Sequence, residues 1–131
     1  MELLREKYIC KNQIKKGING VKNTIEFIKN GYNIALMIDQ RVSEGEKIKF
    51  FEKEAFTTTL PAQLILKYNL KVIPIFIERS KSSKFIMEIY KPIDFSNNKD
   101  KLFFTNELNK ILENMIIKNP NQWIWTHDRW K

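Results

Sequence analysis

A layered α/β domain with mostly parallel strands is the fold class this chain predicts, and three observations point to it. Apolar residues recur at spacings of three and four in two segments, Ile18, Val21, Ile25, Ile28 and Phe104, Leu108, Ile111, Met115, as they do along one face of a helix. Two short continuous apolar runs, Ile34-Ala35-Leu36-Met37-Ile38 and Val72-Ile73-Pro74-Ile75-Phe76-Ile77, have the composition of strands buried on both faces. Helical and strand-like segments alternate, which implies right-handed crossovers and parallel pairing.

Taken in order, the helix through Ile18 and Ile28 spans about three turns, and Asn30-Gly31 supplies its stop, because a residue just past a helix end takes a left-handed conformation that suits glycine. The run from Ile34 to Ile38 predicts the first strand, which ends abruptly in Asp39-Gln40-Arg41. A loop containing Glu44-Gly45-Glu46 leads to Phe50-Phe51. Thr57-Thr58-Thr59 then offers hydroxyls to cap a helix through Leu60, Leu64 and Tyr68, with Pro61 in its first turn.

Val72 to Ile77 predicts the second strand, in which Pro74 requires an edge, a bulge or a position without a ladder partner. It also ends in charge, at Glu78-Arg79. Phe85, Met87 and Ile89 alternate with Ile86, Glu88 and Tyr90 and predict a third strand before the last helix. In open α/β sheets ligands bind beyond the carboxyl ends of the strands, so Asp39, Gln40, Arg41 and Arg79 are candidate site residues. Asp39 suits either orientation of a substrate or base, or a solvated turn. Arg79 suits either a bidentate clamp on phosphate or carboxylate, or a structural pair with an acid such as Glu78.

At 131 residues and 43% hydrophobic, the chain has enough apolar content for one core. Its net charge of +8 favours an anionic partner, discounted because the abundant Ile, Lys and Asn reflect AT-rich codons. With Cys10 as the single cysteine, no internal disulfide forms and a reducing compartment is expected. The longest apolar runs fall far short of the roughly 18 residues of a membrane span. The N-terminal residues lack the apolar stretch of a signal peptide, so the chain reads as cytoplasmic.

All three tryptophans and the single histidine lie in the closing segment Pro120-Asn121-Gln122-Trp123-Ile124-Trp125-Thr126-His127-Asp128-Arg129-Trp130-Lys131. If that segment is helical, Trp123, His127 and Trp130 share one face and Gln122, Trp125 and Arg129 the other. The tryptophans then serve either as core plugs, with His127 as a hydrogen-bonding partner, or as the lining of an anionic or interfacial lipid site with Trp125, His127 and Arg129 in contact with substrate. The phosphate-loop pattern is absent, since Gly45-Glu46-Lys47 lacks the preceding glycine and the following hydroxyl. The Gly-x-Ser-x-Gly elbow is absent as well. One histidine and one cysteine make a zinc site untenable, and no cofactor is expected.

Together these segments resemble the C-terminal part of the bacterial lipid A biosynthesis (lauroyl/myristoyl) acyltransferase family, within the lysophospholipid acyltransferase superfamily. The matching stretches are Lys16-Gly17 with Gly20-Val21, Gly31, Met37-Ile38-Asp39-Gln40-Arg41 with Glu44-Gly45, Phe50-Phe51 with Ala55, Thr57-Thr58-Thr59, Val72-Ile73-Pro74 with Glu78-Arg79, and the segment from Pro120 to Trp130. Their order and spacing cover nearly all of the chain. Glu52 departs from the pattern, because the family usually has glycine after the paired phenylalanines.

The resemblance implies that residues 1–131 are one partial domain, the C-terminal portion of a glycerolipid-acyltransferase-like fold. It implies acyl transfer from an acyl carrier protein thioester to a hydroxyl of a lipid A precursor or related anionic glycolipid, at the cytoplasmic face of the bacterial inner membrane. The chain would be peripheral there, and an upstream N-terminal half would be a partner. The family's catalytic His-x4-Asp/Glu motif is not in these residues, and His127 cannot stand in for it because the acid would fall beyond Lys131. General-base catalysis contributes roughly 10²–10⁴-fold, so no catalytic residue is assigned in this chain. Two rival expectations are a basic nucleic-acid-binding module with tryptophans stacked on bases, which is not favoured, and an inert remnant with an exposed sheet edge.

Overall fold

A computed structural model describes residues 2–95 and 100–131, and the chain divides into two compact units, Met1–Leu36 and Met37–Lys131. The first unit holds helices α1 (Glu2–Tyr8) and α2 (Ile18–Lys29). The end of α2 follows its sequence closely. Gly31, at φ +80°, donates its N–H to the Ile28 carbonyl, and the Tyr32 N–H reaches the Phe27 carbonyl. This is the paired bonding of a Schellman stop, and the accompanying apolar contact is an edge-on pair of Phe27 and Tyr32 rings with centroids 5.3 Å apart. Gly20 lies where α2 meets the Lys15 carbonyl, with no room for a side chain.

In the second unit, β1 (Glu46–Phe50) and β2 (Lys53–Thr57) form an antiparallel hairpin, followed by helix α3 (Leu60–Tyr68). Strands β3 (Ile75–Arg79) and β4 (Phe85–Ile89) form a second antiparallel hairpin, and helix α4 (Lys101–Lys118) follows. The architecture is therefore mixed α/β with two small antiparallel sheets, and the expected parallel pairing is overturned. Connections of two and five residues between paired strands explain the difference, because a parallel pair needs a crossover of a dozen residues or more.

The strand expected over residues 34–38 is likewise absent: among the described residues this run has no ladder partner, and Leu36 and Met37 are exposed. A strand buried on both faces needs neighbours to take its N–H and C=O groups, and the other apolar run, as β3, pairs with β4 instead. The predicted strand over 72–77 begins later. Val72 makes an isolated bridge to Ile93, and Pro74 precedes β3, where its missing N–H leaves no ladder bond unmade.

The three helices expected from periodicity are present. Asp100 caps α4 by accepting from the Leu102 N–H at 2.9 Å. Thr58, rather than Thr59, offers its hydroxyl to the start of α3, since the Thr59 hydroxyl accepts from the Gln63 side chain. Ala62 and Ile65 of α3 pack on Phe104 and Leu108 of α4, with Ile38, Leu66, Leu70, Val72 and Phe95 closing over them.

The β1–β2 turn explains the consequence of Glu52. Phe51 and Glu52 have φ of +48° and +60°, the left-handed pair that a two-residue hairpin turn demands. An L-residue in that region is destabilised by roughly 1–2 kcal/mol, which glycine avoids. Glu52→Gly is therefore expected to stabilise the protein by about 1 kcal/mol, read as a rise in the urea midpoint with unchanged slope.

Candidate functional site

The second unit brings the sequence motifs together around one phenylalanine. Phe50, the last residue of β1, is fully buried with Ala55 and Ile116, beneath Phe51, Leu112, Trp123 and Trp130. The closing segment is not an α-helix. It folds as two 3₁₀ turns, Pro120–Gln122 and Trp125–His127, and Pro120, directly after the Asn119 cap of α4, cannot continue that helix.

Its tryptophans divide their roles. Trp130 lies against Phe50 at 5.7 Å between centroids and donates its indole N–H to the Phe50 carbonyl at 3.0 Å. Trp123 stands 5.8 Å from the same ring. Both are half-buried and pack against the Phe50 cluster. Trp125 is about half exposed, donates its indole N–H to the Pro120 carbonyl at 2.7 Å, and lines an open groove of about 520 Å³ with Phe51, Lys53, Asp128 and Trp130.

Arg129 occupies the centre of the arrangement and is 1% exposed. One branch of its guanidinium, Nη2, donates to Asn109 Oδ1 at 2.9 Å and Thr57 Oγ1 at 3.2 Å. The other, Nη1, approaches the Asp39 carbonyl at 3.5 Å. The guanidinium carbon lies 4.0 Å above the Phe50 ring, while the buried Nε has no partner. Burial pushes this group down from its ordinary value to about 10, opposed by the charges of Asp39 and Glu113, so it remains a cation at neutral pH.

The Asp39-Gln40-Arg41 segment runs beside β2. The Arg41 guanidinium lies 5.6 Å from the Phe56 ring centre, and the Val42 N–H approaches the Phe56 carbonyl at 3.5 Å. Asp39 is half-buried, whereas Gln40 and Arg41 are exposed. Arg79 lies at the end of β3, where its backbone N–H and C=O exchange two 2.7 Å hydrogen bonds with the Gln122 carboxamide. Its own guanidinium lies over Phe85.

His127 is exposed, and its neighbouring acid is already engaged. Asp128 accepts from the Trp130 N–H at 3.3 Å and pairs with Lys131 at 3.2 Å. The structure thus joins Asp39 to Arg129 and gathers Phe51 and Trp125 at the groove, while Arg79 is held through Gln122. Among the described residues no group of three or more His, Cys, Asp or Glu side chains is placed to hold a metal ion. No helix among them is long and apolar enough to cross a membrane.

Asn109 and Glu113 are members of this site that sequence reasoning passed over. Asn109 donates to the Lys49 carbonyl at 2.9 Å while accepting from Arg129, so one amide links β1 to the buried cation. Glu113 accepts from the Phe51 N–H at 2.8 Å and fixes the hairpin turn. The available signal for Asn109 was its place in the inward stripe of α4, beside Leu108 and one turn after Thr105, where a polar residue requires a partner.

The arrangement coincides with a family match. The model for the family described as bacterial lipid A biosynthesis acyltransferase matches residues 7–131. A lipid A biosynthesis acyltransferase of Haemophilus influenzae is 32% identical over 87 residues, a stretch covering 64% of this chain and 28% of that relative. The matched stretch is thus little more than a quarter of the relative's length.

Proposed function

This chain belongs to the bacterial lipid A biosynthesis acyltransferase family, and from that premise we propose that it is the C-terminal, substrate-holding portion of an enzyme that transfers a fatty acyl group to a lipid A precursor or related glycolipid. The observation that carries the reading is the continuity of the family match with the Asp39, Phe50, Thr57 and Arg129 cluster, which assembles segments far apart in sequence. The donor is an acyl carrier protein thioester. Gln40, Arg41, Arg79, Trp125 and His127 are the exposed candidates for substrate contact, and the positive charge of the chain suits a phosphorylated acceptor.

Proton transfer from the acceptor hydroxyl falls to a His-x4-Asp/Glu pair outside these residues, in an upstream portion joined or associated with this one. His127 is exposed beside an acid already engaged with Trp130 and Lys131, and so lacks an orienting partner for that task. The β3–β4 hairpin supports completion by further chain. Its face built from Ile75, Ile77, Phe85, Met87 and Ile89 is more than half exposed or close to it at every position, larger than an isolated two-stranded sheet sustains in water. The completed protein works at the cytoplasmic face of the bacterial inner membrane, in lipopolysaccharide biosynthesis.

The test is a bacterial strain lacking a late lipid A acyltransferase, supplied with this chain joined behind a portion bearing the His-x4-Asp/Glu pair. Mass spectrometry of its lipid A is expected to show one added acyl chain, lost when the upstream histidine becomes alanine. Unchanged lipid A with well-expressed protein would refute the assignment.

A further inference from the structure

We infer that Arg129 is a positioning residue for the Asp39-Gln40-Arg41 segment: its buried fork holds the Asp39 end, so that one family motif acts through another. Only the statement that this segment meets substrate rests on the acyltransferase reading.

A buried cation is destabilising unless well paired, and well-packed apolar residues in its place are often neutral or stabilising. Here the direct partners are a carbonyl, a hydroxyl, an amide oxygen and an aromatic face, all uncharged, and Nε has none. Stability alone gives little reason for such a residue.

Geometry supplies the reason. A guanidinium presents donors in a fixed planar fork, which a lysine ammonium cannot copy. One branch is anchored on α4 and β2 through Asn109 and Thr57, and this fixes the direction of the other branch toward the Asp39 carbonyl. The contact at 3.5 Å is long, and attraction between the Asp39 carboxylate and the guanidinium adds to it.

The need for such a tether follows from the chain before it. Residues 34–38 have no ladder partner among the described residues, so no sheet fixes the entry into the segment; Ile38 packs on the α3–α4 core, and the Asp39 carbonyl beyond it meets Arg129. At the exit, Arg41 lies on Phe56 and the Val42 N–H approaches the Phe56 carbonyl. Arg129, next to the packed Ile38, therefore orients one end and Phe56 receives Arg41 at the other, with Gln40 presented between them.

The test uses the whole chain and needs no acyl transfer, so its outcome is independent of the enzymatic assignment. Arg129→Met and Arg129→Lys are compared with the parent by thermal unfolding and by ¹⁵N relaxation. Arg129→Met is expected to unfold at or above the parent temperature. In both variants, order parameters for residues 39–41 should fall below about 0.6, while β1, β2 and α4 stay near roughly 0.85. Lysine should fail to rescue, because one ammonium cannot span both branches. Unchanged order at residues 39–41 in either folded variant would overturn the inference. So would loosening spread evenly over the unit, or loss of folding in both variants, either of which makes Arg129 a general structural residue.

Discussion

Phe50→Ala is expected to lower the unfolding free energy by about 3–5 kcal/mol, the range for truncating a fully buried aromatic side chain. The ring is completely enclosed and is the common neighbour of Phe51, Trp123, Trp130 and the Arg129 guanidinium. Removing it opens a cavity under two tryptophans and strips the buried cation of its aromatic face. A urea titration followed by tryptophan fluorescence reads both effects, as a lower midpoint and a native spectrum shifted to the red. Leucine at the same position should recover part of the stability by filling volume without restoring the cation–π contact.

Asn109→Leu is expected to cost about 3 kcal/mol for a different reason. The substitution fills the site with an apolar side chain but deletes the acceptor for Arg129 Nη2 and the donor to the Lys49 carbonyl. Hydrogen bonds to charged groups contribute about 1.5–3 kcal/mol each, and the abandoned guanidinium stays buried. The diagnostic is non-additivity. Combining Asn109→Leu with Arg129→Met removes both sides of the polar contact, so Asn109→Leu should cost clearly less in the Arg129→Met background than in the parent. The same cost for Asn109→Leu in both backgrounds would show that the pair is not energetically coupled.

The helices were legible in the sequence because their signals are local. Spacing of Ile18, Val21, Ile25 and Ile28 marks α2 as a helix, although Ile18 is exposed and the residues it buries are Gly20 and Thr24, and Gly31 marks its stop. Pro61 and the Thr57-Thr58-Thr59 run likewise mark the start of α3. Sheet pairing was less legible. Continuous apolar runs suit strands buried on both faces, yet β3 and β4 close on each other through the Ser80–Lys84 connection, whose serines and lysines have turn composition. The β1–β2 turn carries Phe51 and Glu52 rather than Asn-Gly or Asp-Gly, so the commonest short-range hairpin signal was missing.

The site was legible as a set of motifs but not as a geometry. Arg129 was a candidate substrate contact in an aromatic and basic lining, yet it is 1% exposed. Its enclosure depends on Asn109, Thr57 and Phe50, which lie 20 to 79 positions away in sequence. Trp123 and Trp130 pack half-buried against the Phe50 cluster, and Trp125 is about half exposed. No local pattern distinguishes the three.

The most direct measurement of the central claim is the rate of acyl transfer from an acyl carrier protein thioester to a lipid A precursor, with the purified chain alone and with the chain joined to an upstream portion bearing the His-x4-Asp/Glu pair. The account predicts no transfer above background from the chain alone and clear turnover from the joined protein, at least roughly 10²-fold faster. Transfer by the chain alone, abolished by His127→Ala, would contradict it.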